Sequence, residues 1–270
     1  SPAGKATIRN AGFAEVDLYG IQRKLDPTLL RLNAAGYLNG HTPFSAMVAF
    51  ATLIAAKLLG IRHIALSNES SANEPTIPGT HVNHQYSKSV DFETDFRNYV
   101  SEFISRDLNY FSFLRPLNEL QIAKLFSKFS HHYKTFRSCN VGSKADSWCG
   151  KCPKCLFTRI IMGPFIDSEK MAKIFGREIL DDPDLINTFD ELTGVADEKP
   201  FECVGTVDEV NVALDMMIQE SDTGKMPFLL RRFYNQMNNK SASPELFLQQ
   251  FNAHHFLSPA LEKLIKENIS

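Results

Sequence analysis

Four of the five cysteines lie within seventeen residues, spaced Cys139-x9-Cys149-x2-Cys152-x2-Cys155, and Cys203 stands apart. Two Cys-x2-Cys steps let three sulfurs converge from one tight turn. Gly150 and Pro153 suit that turn. Cys139 returns from the preceding loop as a fourth ligand. Zinc prefers four tetrahedral ligands, and thiolates are its best structural partners, so the spacing predicts a structural zinc in a loop over 139–155. An iron–sulfur cluster uses the same donor set and is the rival. A closed four-thiolate site folds a loop and does not catalyse. Arg159 follows the zinc turn, where it is placed either to meet a phosphate or carboxylate bidentately or to form an ion pair.

Clustered cysteines in a chain of 270 residues with no secretory signal favour metal over disulfides and a reducing cytoplasm. With 43% hydrophobic residues the chain is ample for a buried core. A formal charge of −2 gives no general attraction to nucleic acid or membrane, and no apolar run approaches a membrane span. The first residues, SPAGKATIRNAG, read neither as a signal peptide nor, lacking Met, as a natural start, so an upstream segment is expected. The oligomeric state is not legible.

Thr42 and Pro43 read as a helix start and Gly60 as its stop. Between them the helix is apolar nearly all round, which predicts burial in a layered domain. Residues 62–67 then read as a buried strand, and a weaker strand signal covers 15–19. Asp91 opens a helix to about 105, Tyr110–Leu114 reads as a strand, and Asn118 caps a helix to about 133. This alternation predicts an α/β fold, doubly wound around a mostly parallel sheet. Beyond Cys155 the pattern is mostly helical, with starts at 181–184 and 242–245. The domains are expected at 1–198 and at 199–270, the second a helical region.

The segment Ser67–Ser89, SNESSANEPTIPGTHVNHQYSKS, begins where the first clear strand ends. Ligands in open parallel sheets collect outside the carboxyl ends of strands. Glu69 and Glu74 are candidates to bind magnesium or a substrate ammonium, and His81 and His84 are candidate bases. Taken singly, each of these reads as a solvated surface group, and Tyr86 and Lys88 as packing and surface charge. Their density at a strand's end argues for a site.

Three runs carry a resemblance: Asn39-Gly40-His41-Thr42-Pro43, Ser67-Asn68-Glu69-Ser70-Ser71-Ala72-Asn73, and Val82-Asn83-His84-Gln85-Tyr86-Ser87-Lys88-Ser89. They resemble the MurL family of bacterial UDP-N-acetylmuramoyl-L-alanyl-L-glutamate epimerases. Ser138-Cys139 with Trp148-Cys149-Gly150-Lys151-Cys152-Pro153-Lys154-Cys155 is similar to that family and to 7-cyano-7-deazaguanine synthases. Both look like relatives of the ATP pyrophosphatases, whose fold is doubly wound and adenine-nucleotide-hydrolase-like. The resemblance covers roughly residues 1–165. The family's glycine-rich SGGKDS-type phosphate loop is not in this chain and is expected upstream.

The resemblance implies an ATP-dependent isomerase that inverts the terminal L-glutamate of UDP-MurNAc-L-Ala-L-Glu through an acyl adenylate, for peptidoglycan biosynthesis in the cytoplasm. ATP and magnesium are the implied cofactors beside structural zinc. His84, Tyr86 and Lys88 are the implied proton-handling or substrate-contacting residues. His41, Asn68, Glu69, Asn73, Asn83 and Arg159 are the candidate substrate or nucleotide contacts. Two other readings stand beside it: an ATP pyrophosphatase that activates a carboxylate or carbonyl for nitrogen or sulfur transfer, and a zinc-stabilised binding module without turnover.

Overall fold

A computed structural model describes residues 2–14, 18–38, 43–75, 80, 82–236 and 243–269. In chain order its helices and strands are α1 (Pro2–Asn10), α2 (Pro27–Ala34), α3 (Phe44–Leu59), β1 (His63–Leu66), α4 (Val90–Phe103), β2 (Asn109–Ser112) and α5 (Glu119–Ser127). They continue as α6 (Pro153–Met162), α7 (Ser168–Phe175), α8 (Ile186–Thr193), α9 (Val207–Glu220), α10 (Phe228–Gln236), α11 (Pro244–Gln249) and α12 (Pro259–Ile269). The architecture is mixed α/β and rich in helix. Its sheet, among the described residues, is a parallel pair in which His63 faces Asn109 and Leu66 faces Ser112.

Local sequence chemistry explains most element ends. Gly60 takes φ 68°, the left-handed conformation that closes α3 without a Cβ penalty. Ser89 caps α4 by accepting from the Phe92 amide. Asn118 and Gln121 form a reciprocal capping box on α5, and Thr206 and Glu209 form another on α9. The helix expected to run to Tyr133 ends at Ser127, and a separate short 3-10 turn covers Ser130–His132. The weak strand signal at 15–19 falls partly outside the described residues, and Leu18 and Tyr19 lie in no strand.

Two apolar clusters organise the chain. The smaller packs Ala49, Leu53 and Ala56 of α3 and Phe96 and Val100 of α4 against Ile64 and Tyr110 of the strands. The larger runs from Leu120 through α6, α8, α9 and α10 to Phe247, so residues on both sides of position 198 share it. Leu156 and Ile160 of α6 are fully buried with Val210, Ala213 and Leu214 of α9.

One expectation is corrected. Helix α3 is buried along a single stripe rather than all round. Phe44, Phe50 and Ile54 are exposed, and Leu58 is 80% exposed. The strand pair and α4 cover one stripe of the helix, and among the described residues no further layer covers its other side. Leu53→Ala therefore costs about 2–5 kcal/mol in urea unfolding. Leu58→Ala, on the same helix, stays within about 0.5 kcal/mol of the parent.

Candidate active site and metal centre

The segment 67–89 is held in place by an arginine from outside it. Arg115 sits in the turn after β2, fully buried. Its Nη1 donates to the carbonyl of Glu69 at 2.6 Å, and its Nη2 donates to the carbonyl of Lys88 at 2.5 Å. The same guanidinium pairs with buried Glu93 of α4 at 3.0 Å. Glu93 in turn accepts from the Ser112 amide at 2.8 Å. Both ends of the segment are thus tied to one charge whose burial is tolerable only because it is paired and saturated with acceptors.

Inside the segment the amides serve its shape. Asn68 donates to Ser112 Oγ at 3.0 Å, and Asn73 Oδ1 accepts from the Val90 amide at 2.8 Å. Asn83 donates to the carbonyl of Ala72 at 2.9 Å and accepts from the Gln85 amide at 2.7 Å. The His84 ring stacks on Phe201 with centroids 4.7 Å apart. The Tyr86 hydroxyl donates to Asp95 at 3.2 Å, and burial and that carboxylate raise its pKa. Glu74 is paired with Lys199, which also donates to the carbonyl of Gly205 at 2.8 Å. His41 and His81 lie outside the described residues.

Glu69 and Lys88 belong to a larger group of charges. Glu119, the first residue of α5, is influenced by Glu69, Glu209, Lys88 and Lys154. Burial chiefly, then Glu69 and Glu209, holds its carboxyl well above the ordinary range, while the two lysines oppose the shift. Glu209 bridges two helix starts: it accepts from the Glu119 amide at 2.7 Å and from the Thr206 amide at 2.5 Å. Burial pushes its pKa up to about 7 despite those donors. Glu209 thus lies against the start of α5, and Glu69, Lys88 and Lys154, from other stretches of chain, are within electrostatic reach of Glu119. Burial favours the neutral form of both Glu119 and Glu209. Sequence reasoning missed Arg115, Glu119, Glu209 and Lys154. The capping pattern Thr206-x2-Glu209 was readable, but its second duty on α5 was not.

Arg159 lies apart from these contacts. Its buried guanidinium makes a bidentate pair with half-buried Glu178 at 2.9 and 2.8 Å and reaches Ser168 Oγ at 3.3 Å, at the edge of the larger core.

The four clustered cysteines converge as their spacing predicts: the sulfurs of Cys139, Cys149, Cys152 and Cys155 lie within 4.8 Å of one another. Cys152 and Cys155 are 3.5 Å apart at the start of α6. Backbone amides point at the sulfurs, from Gly142 to Cys139 at 3.1 Å and from Lys151 to Cys149 at 3.4 Å. Gly150 turns the chain at φ 66°. Hydrogen bonding to Cys155 pulls the Cys152 thiol down to about 4, and the same contact pushes Cys155 up. Four convergent thiols with amide donors behind them fit a metal ion.

Residues 4–113 match the family model of the MurL N-terminal domain, and residues 135–246 match that of the MurL C-terminal domain. The chain belongs to the MurL family. It is 36% identical over 261 residues to the UDP-N-acetyl-alpha-D-muramoyl-L-alanyl-L-glutamate epimerase of Xanthomonas oryzae pv. oryzae (strain MAFF 311018), covering 93% of this chain and 58% of that protein. The protein of the same name from Salinispora tropica is 39% identical over 206 residues, covering 74% of this chain and 45% of the relative. One from a Micromonospora strain is 39% identical over 212 residues, covering 76% and 47%. The chain spans about half the length of the curated relatives it matches. No solved structure matches it significantly. Among the described residues no helix is long and apolar enough to cross a membrane.

The junction of the two MurL domains is where Arg115 sits, so its loss tests how the segment is held. Arg115→Met strands the Glu93 charge and frees two carbonyls, at a cost of about 3–5 kcal/mol. Chemical denaturation reads the loss. Hydrogen exchange at residues 82–90 rises before global unfolding.

Proposed function

We propose that this chain carries the epimerase function of the MurL family, inverting the terminal L-glutamate of UDP-MurNAc-L-Ala-L-Glu to D-glutamate in an ATP-dependent reaction. The observation that carries the reading is the coincidence of both MurL domain matches with a segment that holds Glu69, His84, Tyr86 and Lys88 on a common frame. The nucleotide-sugar substrate and its peptidoglycan fate place the reaction in the cytoplasm. A doubly wound, adenine-nucleotide-hydrolase-like sheet, completed around β1 and β2, is the fold this reading implies.

The chemical problem is the acidity of the glutamyl Cα. Its carboxylate resists removal of the neighbouring proton, because the resulting anion would gain a second charge. ATP, with magnesium on its phosphates, would supply the activation: the carboxylate oxygen would displace pyrophosphate from the α-phosphate, the acyl adenylate would lack that charge, and water would later hydrolyse it to the carboxylate and AMP. The chain's own residues then have to accept a proton on one face and return one on the other. Lys88 and the raised carboxyl of Glu119 are the pair best suited to this work. They come from different elements; burial and the carboxyls of Glu69 and Glu209 favour the protonated form of Glu119, and Lys88 opposes that shift. His84 and Tyr86 contact the substrate beside them. Asn68, Asn73 and Asn83 position the segment.

Full-length enzyme given the L-glutamyl substrate and ATP in D2O releases AMP and incorporates deuterium at Cα. Lys88→Met lowers epimerisation by about 10²-fold or more. A Lys88→Met enzyme with undiminished exchange and epimerisation removes Lys88 from the proton path. Wild-type enzyme giving no ATP-dependent D-glutamyl product overturns the function itself.

The cysteine site is proposed to hold zinc, as a folding element rather than a catalyst. Elemental analysis is expected to find one zinc per chain, with no visible absorption from an iron–sulfur chromophore. Cys152→Ser loses the metal, and melting temperature falls with it, because metal binding is folding free energy in such a loop.

A further inference from the structure

A cleft of about 440 Å³ opens beside the cysteine loop. Ser130, Tyr133, Lys134 and Arg137 line it from one stretch of chain, and Lys170 and Lys173 of α7 from another. Arg137 meets Asp146 at 3.7 Å, and Lys170 meets Asp167 at 2.7 Å in an exposed pair. Neither Lys134 nor Lys173 has an ion-pair partner among the described residues. Two carboxylates against four cations leave the cleft net positive in a chain whose overall charge is −2.

Cations facing one another across a cleft repel, so something has to hold the walls together. Phe136 precedes Arg137, and its ring packs on Trp148 with centroids 5.2 Å apart. Trp148 packs on Phe175 at the end of α7, at 4.7 Å. This aromatic stack joins the cation-bearing segments. The backbone segments that carry the cations are thus held near one another, while the lysine side chains themselves are exposed. The cleft's volume suits a small organic ligand. Its clustered cations and the Ser130 hydroxyl suit adjacent phosphates.

We propose that this cleft binds the diphosphate of a nucleoside diphosphate, namely the UDP end of the nucleotide-sugar substrate. The inference rests on the epimerase reading and adds to it a site for the end of the substrate remote from the chemistry. In UDP-MurNAc-L-Ala-L-Glu the diphosphate and the glutamyl Cα are separated by a sugar, a lactyl group and an alanine. A second recognition site, separate from the proton-handling group, follows from that length. Lys134 and Lys173 make the contacts, and Arg137 is held ready by the metal loop.

The test uses the full-length protein and three probes: UDP, ATP and inorganic pyrophosphate. Calorimetry is expected to show UDP binding that weakens about tenfold or more in the Lys134→Gln, Lys173→Gln double variant, since both substitutions remove a charged hydrogen-bond donor to phosphate. ATP affinity stays unchanged. In turnover the double variant raises KM for the nucleotide sugar with kcat retained, and the Lys134→Arg, Lys173→Arg enzyme recovers. Unchanged UDP affinity in the glutamine variant overturns the inference, as does a loss confined to ATP or pyrophosphate. Wild-type turnover separates the two ideas. If the enzyme epimerises and the variant's KM does not move, the cleft assignment alone fails. If wild type does not epimerise at all, the functional reading fails whatever UDP does.

Discussion

The guanidinium of Arg115 is the group on which the candidate site depends. It is fully buried, and it joins the end of β2, the start of α4 and both ends of the segment 67–89. A buried cation is expensive unless every donor finds an acceptor. Here Glu93 neutralises the charge, and two backbone carbonyls and Ser112 Oγ take the remaining donors. The planar fork of arginine can serve several elements at once, where a lysine would offer a point charge on a flexible stem. The segment is long and carries few apolar anchors. Its geometry is therefore set by polar bonds to the scaffold more than by burial of its own side chains.

A second polar junction connects this region to the C-terminal helices. The start of α5 is held from three directions. Glu209 accepts the Glu119 amide, Asn118 donates to the carbonyl of Phe247, and Gln121 donates to the carbonyls of Leu248 and Gln250. Helix starts expose unpaired amides and favour negative charge. Placing one carboxyl between two of them satisfies both at once. Burial nevertheless outweighs that attraction and keeps the Glu209 pKa near 7. The same residue thus serves as a structural bridge and influences the protonation of Glu119 beside it.

What was legible in the sequence was local. Gly60, Asn118 and the Cys-x2-Cys turns act on residues a few positions away, and their effects are where periodicity and capping chemistry put them. The parallel pairing of β1 and β2 likewise follows from their separation by a helix. Arg115 and Glu209 were missed because their decisive partners are distant in sequence. Arg115 reaches Glu69 across 46 positions, and Glu119 and Glu209 are 90 apart. Nothing in the neighbourhood of either residue announces the second contact. The burial of α3 was misjudged for a related reason. An all-apolar helix reports what its faces can tolerate, whereas their actual cover depends on which other elements pack against them.

The cysteine loop gives these separate features a common origin. Lys154, next to Cys155, influences Glu119 and donates to Asn140 in the loop itself. Arg137 and Asp146, at the edge of the same excursion and within it, belong to the basic cleft. Trp148, adjacent to Cys149, supplies the middle ring of the stack that holds the cleft walls together. A metal bound by four thiolates would therefore fix two electrostatic environments of opposite character without touching either reactant. One is rich in carboxyl groups, Glu69, Glu119 and Glu209, with Lys88 and Lys154 within electrostatic reach of Glu119. The other is a net-positive cleft whose Lys134 and Lys173 have no ion-pair partner among the described residues. The two environments discriminate by charge: an anionic group is drawn to the cleft and disfavoured beside the carboxyls. Discrimination of this kind works through fields set before binding, so it depends on the stiffness of the loop that carries both sets of charges.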